Sequence, residues 1–361
     1  MILPRVKPEH APYRLGDSRV RIGGSVYGIA AEIEDPEGLA WAALNLMDGT
    51  RTPAEVTEEI AARYPELSVA TATKVVNALV ESGYIEDSAP PVTDELTARE
   101  RERYRRNREF FRWVDLRPPG HSWESQIRLK DARVVVLGLG GTGSHAAWSL
   151  AAAGIGHIHC VDPDTVELSN LNRQILYTET DLGLPKADVA VRRLKAVNSD
   201  ITVTGDRRRI DIREAMASLL ADCDVLALCA DEPRGADGLR HWANRACMAA
   251  GIPWVGGGYS GPLVTVCTVA PGGPCFECLQ AAASEEQRRQ GRETPVELGW
   301  PGVLATTAAL SGQLTAQAVI SLITGIPGIA PGFLAGLNVI APDHHVFARY
   351  RRREDCSVCA N

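Results

Sequence analysis

The sequence predicts an α/β protein: a doubly wound, mostly parallel sheet preceded by a small helical domain. Two observations predict the sheet. From Asp131 onward, short apolar strands alternate with helical stretches, as in a parallel sheet covered on both faces. The first of those strands runs into Gly138-Leu139-Gly140-Gly141-Thr142-Gly143, a GxGxxG turn that opens a Rossmann-like βαβ unit. A third observation predicts the small domain. Residues 1–90 read as strands, three helices and a closing strand, the order of a winged helix.

Within residues 1–90, Ser18–Ala31 reads as a β-hairpin, "SRVRIGG" then "SVYGIA". A helix over Pro36–Leu46 is stopped by Asp48-Gly49. Thr52 is a good N-cap, Pro53 suits the first helical position and Glu55 completes a capping box. A third helix over Val69–Ser82 ends at Gly83, and "YIED" closes the domain as a strand.

Residues 91–128 read as a linker and arm. Their centre, "RERERYRRNREFFRW", mixes arginines with aromatic residues. Three readings stand: a solvated helix face, an arm that carries an arginine to another site, or a nucleic-acid contact. A net charge of −7 and a pI near 5.7 argue against the last.

Residues 129–361 form the α/β domain in this reading. Strands are expected at Arg133–Leu137, His157–Val161, Thr202–Thr204, Val225–Cys229 and Trp254–Val255, and helices starting near Ser144, Lys186 and Leu239. "LVTVCTV" begins a different section, followed by Gln280–Glu297, whose charge density reads as a mobile loop. Val303–Ile329 is apolar but carries Gln313 and Gln317, and reads as a packed helix. With no signal pattern at the start, a cytoplasmic location is expected, without membrane or nucleic-acid partners.

Chemistry enters with the glycine loop. Gly138, Gly140, Gly141 and Gly143 allow the backbone to approach phosphates, and the following helix offers unpaired N–H groups. Asp162 lies nineteen residues beyond Gly143 at the end of the next strand, where it can hold ribose hydroxyls. A dehydrogenase would look the same to this point. The continuation, "DPDTVELSNLNRQ", adds Asp164, Asn170, Arg173 and Gln174, and Lys186 follows in "LGLPKA". An arginine and a lysine converging there suit a triphosphate better than a nicotinamide. Asp231 follows the apolar strand "DVLALCA", on the ligand side of an open sheet, where a carboxylate can hold Mg²⁺.

Of nine cysteines, five are scattered, mostly in apolar runs. The other four form Cys275-x-x-Cys278 and Cys356-x-x-Cys359, the pattern of a four-thiolate Zn²⁺ site. Buried free thiols or a redox pair are the alternatives.

Quoted together, "GLGGTGS", "VDPDTVELSNLNRQ", "LGLPKA" and "CAD" resemble, in order and spacing, the ubiquitin-activating-like adenylyltransferases, the ThiF/MoeB family. The resemblance covers Arg103 to Cys359. It implies ATP with Mg²⁺, adenylation of a C-terminal carboxylate and release of pyrophosphate. It assigns Asp162 to the ribose, Asn170, Arg173 and Lys186 to the phosphates, and Asp231 to the metal. The family's RYxRQ arm appears here as Arg103-Tyr104-Arg105-Arg106-Asn107, with asparagine for the final glutamine. The resemblance implies that Arg106 reaches the phosphates of the other subunit of a homodimer. Many relatives carry a reactive cysteine where this chain has Thr294-Pro295, so no thioester step is expected at that position.

The first domain, with "LNLMDGTRTPAEV" and "VVNALVESGYI", resembles PqqD-like precursor-recognition domains of ribosomal peptide biosynthesis. Those bind a leader peptide by strand addition, and Val20–Ala30 is the edge expected here. The two parts together resemble the microcin C-type peptide adenylyltransferases. The expectation is therefore an enzyme adenylating the C-terminal carboxylate of a precursor peptide. Three alternatives stay open: a ThiF-like delivery partner of a cyclodehydratase without its own turnover, a sulfur-carrier-protein adenylyltransferase, and an NAD-dependent oxidoreductase.

Overall fold

The computed structural model describes residues 2–90, 93–117, 122–231, 233, 238–291 and 302–360. The chain divides into two compact units, Met1–Ile127 and Arg128–Asn361.

In the first unit, β1 (Pro4–Val6) precedes a three-stranded antiparallel sheet of β2 (Tyr13–Leu15), β3 (Arg19–Ile22) and β4 (Ala31–Glu34). The expected hairpin pairs β3 with β4, so "SVYGIA" is turn rather than strand. Gly23, Gly24 and Gly28 all adopt positive φ there, which breaks an extended strand. β3 is bonded on both sides, so the edge expected at Val20–Ala30 is corrected: the outer strands are β2 and β4.

Three helices follow. α1 (Leu39–Leu46) starts three residues later than expected because Asp35 accepts hydrogen bonds from the Ala40 and Trp41 N–H groups, at 2.9 Å each. α2 (Pro53–Arg63) carries the Thr52/Glu55 capping box, and α3 (Val69–Glu81) is capped by Ser68. They close a core that includes Val20, Ile22, Val56, Ile60, Val76 and Ile85. β5 (Ile85–Asp87) returns to pair with β1.

The expected linker is helical: α4 (Ala98–Arg103) has a Thr97/Glu100 capping box, and α5 (Arg105–Val114) and α6 (Glu124–Asp131) follow. The arginines of α5 divide by face. Arg112 pairs with Glu9 and lies 3.8 Å from Glu86, while Arg108 stacks over Trp123. Arg106 keeps a side chain 78% exposed and, among the described residues, bonds only to Glu109 on its own helix.

The second unit is built on an eight-stranded sheet. β6 (Arg133–Leu137), β7 (His157–Val161), β8 (Thr202–Asp206), β9 (Val225–Leu228) and β10 (Trp254–Ser260) form its parallel part. β11 (Leu263–Val269), β12 (Phe333–Asn338) and β13 (Val346–Arg349) extend it antiparallel. The order is β13-β12-β11-β10-β9-β6-β7-β8. The chain runs outward from β6 through β7 to β8, then returns to β9 on the other side of β6. That reversal makes a crevice at the C-terminal ends of β6 and β9.

The helices of this unit are α7 (Gly141–Ala153), α8 (Lys186–Val197), α9 (Arg213–Leu219), α10 (Leu239–Ala250), α11 (Phe276–Arg289) and α12 (Ala305–Thr324). α12 is the packed helix expected from Val303–Ile329 and lies along α7. Among the described residues, no helix is long and apolar enough to cross a membrane. The mobile loop expected at Gln280–Glu297 is corrected in its first part. Residues 280–289 continue α11, because alanine, glutamate, glutamine and arginine are strong helix formers, and Glu285 pairs with Arg289 one turn on. The rest of that stretch, with Thr294 and Pro295, lies outside the described residues.

Candidate functional site

A cavity of about 320 Å³ opens at the crevice between β6 and β9. The loop after β6 forms one wall. Gly138 has φ +90° and packs so closely on the loop after β9 that an added Cβ would lie 2.8 Å from Ala230. Gly143, in the first turn of α7, faces the same constraint more severely: its Cβ would come within 1.8 Å of the Gly138 carbonyl oxygen. Only glycine lets the loop fold back on its helix, and the N-terminus of α7 is thereby presented to the crevice.

Asp162 stands at the end of β7, 4% exposed. Its carboxylate accepts hydrogen bonds from the Leu139 N–H at 2.6 Å and the Asp164 N–H at 2.9 Å. Burial pushes this carboxyl above the usual range, while the Lys186 charge and the two N–H groups pull it back. Lys186 opens α8 and is 6% exposed. Its ammonium lies 3.1 Å from Asp164 Oδ2, and Arg209 approaches Asp164 Oδ1 at 3.6 Å. Asp231 follows β9, half exposed, and accepts a 2.6 Å hydrogen bond from Arg240 of α10.

The cavity thus brings together Gly138, Gly140, Asp162, Asp164, Lys186 and Asp231. The remaining sequence-predicted residues do not line it. Gly141 and Gly143 are buried inside α7. Asn170 caps its own turn, its side-chain oxygen accepting from the Glu167 N–H at 3.1 Å. Arg173 donates to the Ser169 carbonyl and Asn172 Oδ1, both at 2.9 Å, and its buried Nε has no partner among the described residues. Gln174 is buried beside Gly140, and its Oε1 has no partner among the described residues. The Arg173 side-chain bonds lie along its own segment, while its carbonyl meets His145 Nε2 of α7 at 3.2 Å.

Sequence reasoning missed Arg208, Arg209 and Arg240. Arg208 and Arg209 line the cavity from just past the end of β8, and Arg240 reaches Asp231 from the start of α10. The signal was available in part: Arg207-Arg208-Arg209 stands two residues beyond the strand expected at Thr202–Thr204, on the side where open sheets bind ligands.

The four paired cysteines form a second constellation. Cys275 and Cys278 sit at the start of α11, Cys356 and Cys359 in the C-terminal tail. Their sulfurs all lie within 4.8 Å of one another, and all four are buried. Cys275 and Cys356 are 3.6 Å apart, Cys278 and Cys359 3.5 Å. A tetrahedral Zn²⁺ with Zn–S bonds of about 2.3 Å needs sulfurs about 3.8 Å apart, so the cluster fits the ion closely. The Arg353 N–H points at Cys278 Sγ from 3.5 Å, the kind of outer contact that steadies a thiolate ligand. Burial opposes ionisation of Cys356, but the Val358 and Cys359 N–H groups and neighbouring thiols outweigh it and bring its pKa down to about 7. The scattered cysteines behave differently: burial pushes Cys160 and Cys229 up to about 12.

A glycine loop at a topological switch point, with a buried carboxylate and converging cations, defines a nucleotide-phosphate-binding α/β enzyme. The sequence signature of the ThiF family matches residues 114–358, and the chain belongs to that family. It is 33% identical to the molybdopterin-synthase adenylyltransferase of Escherichia coli K12 over 243 residues, covering 66% of this chain and 92% of that protein. It is 34% identical to the sulfur carrier protein ThiS adenylyltransferase of the same organism, over 65% of this chain and 89% of that one. In fold it is similar along its whole length to E. coli MccB, with a TM-score of 0.79, 23% identity, and coverage of 99% of this chain and 97% of that one. That protein has also been solved with AMPCPP and MccA. The chain is an enzyme of the adenylyltransferase class, and ATP use goes with that class.

Proposed function

We propose that this enzyme adenylates the C-terminal carboxylate of a ribosomally made precursor peptide, and that its first unit reads the leader of that peptide. One observation carries the proposal. A nucleotide cavity that retains Asp162, Lys186 and Asp231 is joined in one chain to a folded unit, Met1–Ile127, with exposed sheet edges. The alignment with the molybdopterin-synthase enzyme takes nearly all of that protein and leaves a third of this chain outside it. The MccB fold, by contrast, extends over both units.

In this reading, Asp162 binds the ribose and the glycine loop receives the phosphates. A peptide carboxylate oxygen attacks the α-phosphorus. The new acyl–phosphate bond forms as the bond to the bridging oxygen of the β-phosphate breaks, and pyrophosphate leaves. Lys186, Arg173 and Asn170, with Gln174 beside them, stabilise the charge that moves onto pyrophosphate, and Arg106 of a second subunit adds to it in a homodimer. Asp231 is the residue for Mg²⁺, which would neutralise the phosphates, and Arg240 holds its carboxylate in place meanwhile. The four cysteines hold a structural Zn²⁺ that ties the C-terminal tail to α11. A cytoplasmic setting suits free thiols of this number.

ATP–pyrophosphate exchange with Mg²⁺, with and without the short peptide encoded nearest the gene, tests the reading. Peptide-dependent exchange supports it. Peptide binding without exchange, with ATP left intact, transfers the chain to the delivery-partner reading. The names of the curated relatives favour one second reading, a sulfur carrier protein as the carboxylate donor, and exchange dependent on a Gly-Gly-ending carrier would establish that instead.

A further inference from the structure

Arg240 bonds Asp231 at the wall of the cavity between β6 and β9, yet neither its place nor its partner accounts for it. It is the second residue of α10, whose first turn holds no acidic residue. A helix N-terminus is the positive end of the dipole, so a cation there costs stability rather than adding to it. The 2.6 Å bond to Asp231 joins side chains that are 38% and 50% exposed. Water screens such a pair, so it contributes little to folding. Asp231 is also the residue proposed above for Mg²⁺. Two positive groups drawn to one carboxylate repel each other, so a metal-bound Asp231 holds Arg240 less firmly.

The surroundings leave Arg240 free to turn. A Cβ added to Gly258 of β10 would lie 3.5 Å from Arg240 Nη2, so the guanidinium lies over a residue with no side chain to confine it. The next residue, Tyr259, points to the opposite face of the strand. A Cβ added to Gly141, the first residue of α7, would lie 2.2 Å from its hydroxyl. Consecutive residues of β10 thus meet Arg240 on one side and the start of α7 on the other. Arg240 borders the crevice from the β9–β10 side, whereas Lys186, Arg208 and Arg209 stand on the β7–β8 side.

In-line displacement sets the direction of the acceptor. A nucleophile approaches the α-phosphorus opposite the departing pyrophosphate. Lys186 and Arg173 are assigned above to the pyrophosphate, which leaves the β9–β10 side for the acceptor. A carboxylate arriving there is repelled by the charge of the nucleotide and needs a cation of its own. A guanidinium suits it, because its planar fork offers a carboxylate two parallel N–H donors.

We infer that Arg240 binds the terminal carboxylate of the acceptor, and that it exchanges Asp231 for that carboxylate when Asp231 turns to Mg²⁺. The acceptor site is then complete only after the metal-bound nucleotide is in place, which orders the two binding events. The inference rests on the adenylation reading proposed above, and names the residue that receives the acceptor.

Magnesium titrations of AMPCPP binding, followed by calorimetry on the full chain and on R240M, test the exchange. Removing the competitor for Asp231 is expected to lower the half-saturating Mg²⁺ concentration about two- to fivefold, the strength of one partly exposed ion pair. R240K, which keeps the charge, is expected to restore the parent value. An unchanged or higher value for R240M overturns the exchange and makes Arg240 a support for Asp231. Fluorescence anisotropy with Mg²⁺ and AMPCPP then compares the short peptide encoded nearest the gene with its C-terminal amide. The unaltered chain is expected to prefer the free acid about tenfold, one charge-assisted contact, and this measurement requires no variant to fold. R240M is expected to bind both forms alike. No preference in the unaltered chain, or a preference that survives R240M in full, overturns the carboxylate site and leaves the peptide reading standing. Binding of neither form removes the peptide reading, and this inference with it.

Discussion

Replacing Lys186 by Met separates a phosphate ligand from a structural lysine. Lys186 is 6% exposed, and its ammonium lies 3.1 Å from Asp164, whose side chain is half exposed. Solvent screens that pair, so its loss costs no more than about 1 kcal/mol of stability. Methionine keeps the stem's packing against the start of α8. The transition state responds more strongly. One negative charge moves onto the leaving pyrophosphate, and a unit charge about 4 Å from a cation is worth about 4 kcal/mol at an effective dielectric constant near 20. That corresponds to about a thousandfold in rate. Loss of one preorganised donor elsewhere costs about 10²–10³, which agrees. ATP–pyrophosphate exchange by K186M is therefore expected to fall about 10²–10³-fold, with a thermal midpoint lowered by a few degrees at most. The pH profile should move too. Burial raises the Asp162 carboxyl and Lys186 holds it down, so removing the lysine lets it rise further. The carboxylate is the form that accepts ribose hydroxyls, so the acid limb of ATP binding should shift to higher pH. A folded K186M whose exchange stays within about tenfold of the parent, on an unshifted profile, would refute the assignment.

The other predictions address separate parts of the structure. Asp231→Ala should abolish ATP cleavage while leaving peptide binding intact, and equal loss of both would mark Asp231 as structural. Cys356→Ser should lower bound zinc and the thermal midpoint together; unchanged zinc content by elemental analysis would remove the four-cysteine site. Gly143→Ala forces a Cβ to within 1.8 Å of a carbonyl oxygen, so a loss of about 3 kcal/mol in denaturant titration is expected, with loss of nucleotide binding. Arg106→Ala should leave stability within about 0.5 kcal/mol, since the side chain is 78% exposed, yet slow exchange at least tenfold. Unchanged exchange would make Arg106 one of a solvated run.

Features set by short spans of chain were the ones legible in the sequence. β6, β7 and β11 begin and end at the expected residues, and α8 and α10 start at Lys186 and Leu239 as read. The Thr52/Glu55 box forms because both partners sit within one turn. The four cysteines were legible for a related reason: each CxxC pair is local, and only the meeting of the two pairs depends on the fold. Where a local signal was misread, a second local signal opposed it. Charge density at residues 280–289 suggested looseness, but the same residues favour helix, and helix prevailed. At residues 23–30, β-branched residues suggested a strand, but three glycines at positive φ made a turn.

What the motif spacings disclosed only in part was the cation content of the cavity between β6 and β9. Arg208 and Arg209 line it because β8 lies two strands from β6 on one side, and Arg240 bonds Asp231 at its wall because α10 follows β9 on the other. Strand order, not sequence distance, brings Arg209 to Asp164 and Arg240 to Asp231. The same logic explains why the motif residues do not all meet. Gly138, Asp162, Lys186 and Asp231 are attached to strand ends or helix starts, so the sheet itself places them. Asn170, Arg173 and Gln174 lie on a short turn whose side chains bond mainly to their own neighbours. Their buried atoms without a partner among the described residues, Arg173 Nε and Gln174 Oε1, carry a desolvation cost that a bound phosphate could relieve only for the donor. Arg173 is thus the residue of that turn with most to gain from a nucleotide, and Gln174 the one whose partner must itself be a donor.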